Sequence, residues 1–337
     1  MQTPKTLLIT NHEPLEKNRI KLFYALEDLS SSLDVINLSP KNYKRNFLDK
    51  ISYRIKIPLD SSRINSRILS YCKSQKPDLV LIVKGNMVYP STVKKLKSLG
   101  IKVVSWSNDD MYAWHNRTLW YTLGLKYYDL VVTQKSYNCN SDELPSLGAN
   151  VLFQDKAIES KVNYPIKDCS KFEFNHDVVF VGSREKDRLS HLIYLAENDI
   201  VVNIYGWGKT KQTDLHKNLV FHDLHLYGDE FNAAFSCSKI SLNFLRKMNR
   251  DLQTSRSIEI PACGGFMLSE RTEEHLRLFE EGIEAEFFSS KEELLEKVNY
   301  YLNHPEETKN IAKNGFRRCY SSNYTFTNRM QEILKSL

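Results

Sequence analysis

The stretch "DVVFVGSREKDR", Asp177 to Arg188, decides how this chain is organised. Its apolar run does not alternate, which marks a strand buried on both faces. The run stops at Gly182 and Ser183, and an amphipathic, charged stretch from about Glu185 to Glu197 follows, completing a strand-loop-helix step. The step restarts a rhythm already heard in the first half, and a restart after an irregular stretch separates two α/β units from one.

Working outward, the first half carries "TLLIT" (6–10), a polar-apolar segment to Leu29, "DVINL" (34–38), "DLVLIVKG" (78–85), "IKVVSW" (101–106) and "DLVVTQ" (129–134). Downstream come "IVVNIYG" (200–206), "LVFHD" (219–223), a helix near Asp229 to Cys237 and "KISLNF" (239–244). This predicts an α/β fold of two Rossmann-like domains with parallel sheets facing an interdomain cleft, where open sheets bind ligands beyond their carboxyl ends. The expected division is an N-terminal domain over 1–160, a linker over 161–175, a C-terminal domain over 176–320, and a helix over 321–337 that packs back on the first domain. Ser290 with Glu293 has capping-box spacing, Pro305 suits the first turn of the next helix, and Gly315 reads as a stop signal.

A chain of 337 residues exceeds what one core usually organises. It has no apolar run long enough for a membrane span, and "MQTPKTLLITNHEP" lacks the apolar core of a signal peptide, so a cytoplasmic location is expected. The six cysteines are scattered without a C-x-x-C pair and read as free, mostly buried thiols. Net charge is +6, but residues 1–102 hold 19 Lys and Arg against 8 Asp and Glu. A basic first half suits an anionic acceptor, a membrane surface or nucleic acid.

Loops after strands are the places for chemistry. Gly182 and Ser183 expose backbone N–H groups, and Arg184 and Arg188 at the following helix start complete a phosphate cradle; an ordinary solvated first turn has the same composition. In "RSIEIPACGGFMLSE" (256–270) we expect a helix from about Thr254 to Cys263, a turn at Gly264 and Gly265, and a strand. Arg256 and Glu259 share a helix face, either as a surface ion pair of about 0.3–0.5 kcal/mol or as ligand-holding groups. Asp251 lies eight residues before Glu259. Asp109 and Asp110 follow "IKVVSWS", so one acid can serve an acceptor hydroxyl while the other caps the loop. His12, in the loop after the first strand, reads as a solvated loop histidine. Asn243 ends its strand as a turn residue or a cleft residue. "FHDLH" (221–225) lacks the spacing of a metal site, and no metal is expected.

These motifs resemble a known family. The Asp251–Glu259 spacing is similar to the E-x7-E pattern of retaining GT-B glycosyltransferases, with Asp in place of the first Glu. A closer resemblance, to the CgeB-like (spore maturation protein type) glycosyltransferases, is carried by "RSIEIPACGGF", "FEEGIEAEFFSSKEELLEKVNYYLNHPEE" and "IAKNGFRRC" over residues 176–320, and more loosely by "KPDLVLIVKG", "VVSWSNDD" and "YYDLVVTQ". The resemblance implies a GT-B fold, a nucleoside-diphosphate-sugar donor on the C-terminal domain, a glycan or lipid-linked acceptor on the N-terminal one, and a role in bacterial surface-glycan or related assembly. It implies that Arg256 serves the diphosphate, Glu259 the ribose hydroxyls, and Gly264 and Gly265 close backbone approach, with Asn243 near the donor. Arg184 and Arg188 would then stabilise the leaving diphosphate without metal or other cofactor. The E-x7-E relation points to retention, with Asp251 as the first acid; a base at Asp109, Asp110 or His12 would serve inversion. A non-catalytic nucleotide-sugar or glycan-binding protein of the same fold is the alternative.

"KNYKRNFLDKISYRIK" (41–56) sets Tyr43, Phe47, Ile51 and Ile55 at four-residue steps among six basic residues. It reads as a basic amphipathic helix that either buries its apolar face in the domain or docks peripherally on the anionic inner face of a membrane. No nucleic-acid motif accompanies the basic residues, and no G-x-G-x-x-G follows the first strand, which excludes a nicotinamide fingerprint.

Overall fold

The computed structural model describes residues 3–10, 21–38, 47–208 and 215–337. The chain forms two compact units, Met1–Asp155 with Phe326–Leu337, and Lys156–Thr325.

The first unit holds strands β1 (Lys5–Thr10), β2 (Ser32–Asn37), β3 (Leu79–Val83), β4 (Lys102–Ser107), β5 (Leu130–Thr133) and β6 (Val151–Phe153), with helices α1 (Lys21–Leu29), α2 (Phe47–Arg54), α3 (Ile64–Gln75), α4 (Pro90–Ser98) and α5 (Leu119–Gly124) between them. All pairings are parallel in the order β2-β1-β3-β4-β5-β6. Leu7, Leu8 and Ile9 are wholly buried, as expected of a central strand covered on both faces.

The second unit repeats the plan with β7 (Val178–Val181), α6 (Lys186–Glu197), β8 (Val202–Tyr205), β9 (Leu219–His222), α7 (Gly228–Ser236), β10 (Ile240–Asn243), α8 (Arg256–Ala262), β11 (Met267–Glu270), α9 (Glu273–Leu278), β12 (Glu286–Phe288), α10 (Lys291–Asn303) and α11 (Pro305–Ser321). Its sheet is again parallel, in the order β12-β11-β10-β7-β8-β9. The last helix, α12 (Phe326–Lys335), packs on α1 of the first unit and sets Phe326 6.2 Å from the ring of Trp106.

In each sheet the winding reverses direction once. The reversal lies between β1 and β3 in the first unit and between β7 and β10 in the second. Such a switch point opens a crevice at the carboxyl ends of the two strands.

Several expectations are corrected. Residues 161–175, expected as a linker, pack on the second unit: Asn232 Nδ2 donates to the Val162 carbonyl at 2.8 Å, and the Ile166 N–H to Ser236 Oγ at 3.0 Å. Cys169 and Cys237 form a disulfide and are not free thiols; their Cα atoms are 5.6 Å apart although 68 residues separate them. This packing of residues 161–175 against the end of α7 is what brings them together, a contact that sequence spacing does not encode. Gly315 lies inside α11 and does not stop it. A Cβ there would meet the Glu284 carbonyl oxygen at 2.3 Å, so close packing demands the glycine. The edge strands β6 and β12 were not anticipated, because three residues carry no readable period. Finally, α2 does not bury its apolar face: Phe47, Ile51 and Ile55 are exposed while Asp49 and Ser52 are buried. Tyr43 lies outside the described residues.

Candidate functional site

The switch point of the second unit gathers two arginines. Arg188, in the first turn of α6, is buried; its Nη1 donates to the Ser183 carbonyl at 2.8 Å and to Ser183 Oγ at 3.2 Å, and its Nη2 to the Phe244 carbonyl at 3.1 Å. It thereby ties the loop after β7 to the end of β10. Burial pulls its pKa below the ordinary value, opposed by the nearby carboxylates of Glu185, Asp251 and Glu270. Arg184 stands exposed in the same loop. The tight turn at Gly182 accommodates the Phe180 ring, which a Cβ would meet at 2.7 Å.

Arg256 begins α8. Its Nε donates to the Val181 carbonyl at 3.0 Å, its Nη1 pairs with the Glu259 carboxylate, and its guanidinium lies 4.5 Å from the centre of the Phe231 ring. The expected pair forms, yet it is no surface bridge: the Glu259 side chain is 6% exposed and that of Arg256 29%. A nearly buried carboxylate retains its charge only beside such a partner. Asp251 is buried in the loop between β10 and α8, with its N–H on the Arg246 carbonyl at 3.2 Å.

Asn243 ends β10 within a buried network. Its Nδ2 donates to Ser257 Oγ at 3.1 Å and Ser269 Oγ at 3.0 Å, and its Oδ1 accepts from Thr254 Oγ1 at 3.0 Å. His275 closes this network, with Nδ1 2.7 Å from the Glu270 carbonyl and Nε2 2.7 Å from Ser257 Oγ. A carbonyl only accepts, so Nδ1 carries the proton and Nε2 receives the serine hydroxyl. Burial pushes the His275 pKa down to about 4, keeping the ring neutral near pH 7. Ser257 and His275, which sequence reading missed, fix the backbone from which Arg256 projects. An isolated polar residue beside an apolar run was the one signal for Ser257, and the charged stretch around His275 gave none.

Gly264 and Gly265 occupy the opposite end of α8 from Arg256, where the chain enters the amino end of β11. Gly264 has φ +76°, and a Cβ on Gly265 would meet the Phe235 carbonyl oxygen at 2.9 Å. They therefore close a helix-turn-strand joint, in place of the expected backbone approach to a donor.

In the first unit the switch point brings Lys84, after β3, to Asp109, after β4, as an ion pair. Lys84 adopts φ 65° and is followed by Gly85 at φ 72°, a tight reversal at the strand end. Asp110 is fully buried, and its Oδ1 accepts from the Tyr112 and Ala113 N–H groups at 3.2 Å each and from Asn138 Nδ2 at 3.0 Å. The adjacent acids thus divide their work: Asp110 holds the loop, and Asp109 stands with Lys84 at the strand ends. Beside them lies a mostly polar cavity of about 180 Å³, lined by Tyr53, Lys84, Asn86, His115 and Asn116 among others. Arg117 sits 5.0 Å from the Tyr112 ring centre and 5.9 Å from that of Trp114. Its buried Nε and Nη1 find no hydrogen-bond partner among the described residues. His12 lies outside the described residues.

His222 of "FHDLH" stacks on Tyr205 at 4.2 Å and lies 2.9 Å from Asn203 Oδ1. Among the described residues no three His, Cys, Asp or Glu gather as metal ligands, and no helix is long and apolar enough to cross a membrane.

Comparison with known proteins reaches the same region. Residues 184–335 match a protein family described as glycosyl transferase-like. No curated protein matches the chain. Among solved structures, HepE from Anabaena in complex with UDP-glucose superposes with a TM-score of 0.66 at 12% identity, over 98% of this chain and 100% of that one. Sucrose-phosphate synthase from Thermosynechococcus elongatus gives 0.65 at 11% identity, covering 98% of each chain. A glycosyltransferase from Rickettsia africae gives 0.61 at 13% identity, over 98% of this chain and 97% of that one. At such identities the likeness is one of fold. The chain has the GT-B fold, and its residues 184–335 are similar to the glycosyl transferase-like family.

Proposed function

We propose that the chain moves a sugar from a UDP-linked donor, bound at the switch point of the second unit, to an acceptor hydroxyl bound at that of the first. The observation that carries this reading is the Arg256–Glu259 pair at the β7 end of α8, inside the stretch that resembles the CgeB-like enzymes. In this reading Arg256 and Arg184 meet the diphosphate, and Glu259 accepts the ribose hydroxyls. Arg188 keeps the loop after β7 in place as a positioning residue. Departure of UDP leaves charge on the diphosphate, and the Arg256 guanidinium, already held by Val181 and Glu259, stabilises it without reorganising at the moment of bond cleavage. UDP is preferred as the donor nucleotide because HepE, alike in fold, was crystallised with UDP-glucose.

Asp109 is the proposed acceptor-side carboxylate, held by Lys84 beside the polar cavity. Retention is proposed from the Asp251–Glu259 spacing, and bacterial surface-glycan or related assembly at the inner face of the membrane as the setting. A thermal-shift series with UDP, GDP and dTDP tests the donor site: a ligand at one hundred times its Kd stabilises by about 2.7 kcal/mol. A shift with UDP that Arg256→Ala abolishes supports the reading, and no shift with any of the three sinks it. NMR assignment of the product anomer against that of the donor decides the stereochemistry.

A further inference from the structure

Helix α2 is built inside out. Asp49 and Ser52 face the protein: Asp49 accepts from Ser61 Oγ, and Ser52 Oγ accepts from the Leu59 N–H at 3.1 Å. The opposite side presents Phe47, Leu48, Ile51 and Ile55 to solvent, with Phe47 74% and Ile55 60% exposed, and Ile57 and Leu59 extend the apolar surface. Lys50 and Arg54 on the same helix are exposed as well. Sequence adds Lys41, Lys44 and Arg45 just ahead, outside the described residues.

An apolar patch rimmed by bases, with its only helical acid turned inward, is complementary to an anionic bilayer, in which apolar side chains enter the acyl boundary and bases meet the headgroups. The segment is also anchored to the acceptor-side loop. Lys56 Nζ donates to the His115 carbonyl at 2.7 Å, the Leu119 N–H to the Lys56 carbonyl at 2.8 Å, and Trp120 Nε1 to the Pro58 carbonyl at 2.8 Å. Tyr53, on α2 itself, lines the polar cavity beside Lys84.

We propose that α2 and the residues following it, to Leu59, dock the protein on an anionic membrane surface and so hold the polar cavity against a lipid-linked acceptor. The acceptor part rests on the glycosyltransferase reading above; the docking part does not.

Co-sedimentation with vesicles tests it, using phosphatidylcholine with and without 30% phosphatidylglycerol, a composition chosen to supply about the charge of an anionic leaflet. The full chain is expected to bind the phosphatidylglycerol vesicles at least tenfold better than neutral ones. The pairs Phe47→Ser with Ile51→Ser, and Lys50→Glu with Arg54→Glu, should each reduce that binding at least tenfold. Melting temperature and the UDP thermal shift, read on the same variants, should not move, since these side chains are exposed and touch neither switch point. Absence of vesicle binding, or binding that survives both pairs, overturns the docking while an intact UDP shift leaves the donor reading standing. Self-association on size-exclusion chromatography with light scattering, abolished by the serine pair, would assign the patch to a second copy and also overturn it. Loss of the UDP shift in the wild-type chain, with vesicle binding intact, would sink the glycosyltransferase reading alone.

Discussion

Arg256 donates through Nε to the last carbonyl of β7, Val181, at 3.0 Å while its Nη1 pairs with Glu259 one turn along α8. One guanidinium thus links a helix, a strand end and a nearly buried carboxylate. Removing either charged partner has a structural cost as well as a functional one. Glu259→Gln should destabilise by about 1–3 kcal/mol, because it leaves the arginine short of a charged acceptor. Arg256→Lys keeps the charge but loses the fork, and should weaken UDP binding at least tenfold. Chemical denaturation and calorimetric titration of both variants and the double variant read these effects. Strictly additive losses would show that the two residues do not act as a unit.

Asp109 and Asp110 should part company under mutation. Asp110→Ala strips the acceptor from three donors in a buried loop and should cost about 2–4 kcal/mol in denaturant unfolding. Asp109→Asn should leave stability within about 0.5 kcal/mol and lower transfer by about a hundredfold or more, with UDP affinity unchanged. Equal loss of transfer at full stability in both variants would contradict the division of labour drawn here.

Much of the architecture was legible because parallel strands buried on both faces write continuous apolar runs, as β1, β3, β5 and β7 do, while β4, β8 and β10 carry single buried polar residues within short apolar segments. The pairing of Arg256 with Glu259 was legible too, from helical spacing alone. Its burial was not, since burial depends on Phe231 and Val181, which only the tertiary fold brings near. The same limit hid the Asn243–Ser257–His275 network and the roles of Gly264 and Gly265. A glycine needed for φ and one needed for close packing look alike in sequence. The inverted α2 was half legible: its periodicity was plain, but which face turns inward is decided by Ser61 and Leu59 hydrogen-bonding to its polar side.

The Cys169–Cys237 disulfide fastens residues near the start of the second unit to the end of α7, across 68 residues of chain. Closing a loop of that length restricts the unfolded ensemble, and reduction should lower the stability of the second unit by about 2–4 kcal/mol. Cys237→Ser should reproduce the loss and make the protein insensitive to dithiothreitol. Equal melting curves with and without reductant, in a sample whose thiol titration confirms reduction, would show that the crosslink contributes nothing to folding.

His275 gives the stability a pH dependence of determined sign. Burial lowers its pKa to about 4 in the folded state, against about 6.5 in an unfolded chain. Across that window the unfolded chain binds a proton that the folded chain excludes. The contribution of the neutral ring is therefore complete above about pH 6.5 and is lost as pH falls toward about 4, a span worth about 3 kcal/mol. Burial also lowers the pKa of His176 and His222, so they slope the curve the same way, and the contribution of His275 has to be read by difference. Denaturant unfolding at intervals from pH 7 to 4.5 should give a markedly shallower fall for His275→Gln than for the wild-type chain. The amide can still donate toward Glu270 and accept from Ser257, but it cannot titrate. Parallel curves, or a His275 ring proton titrating above pH 6 by NMR, would show that the ring is not held neutral by its site.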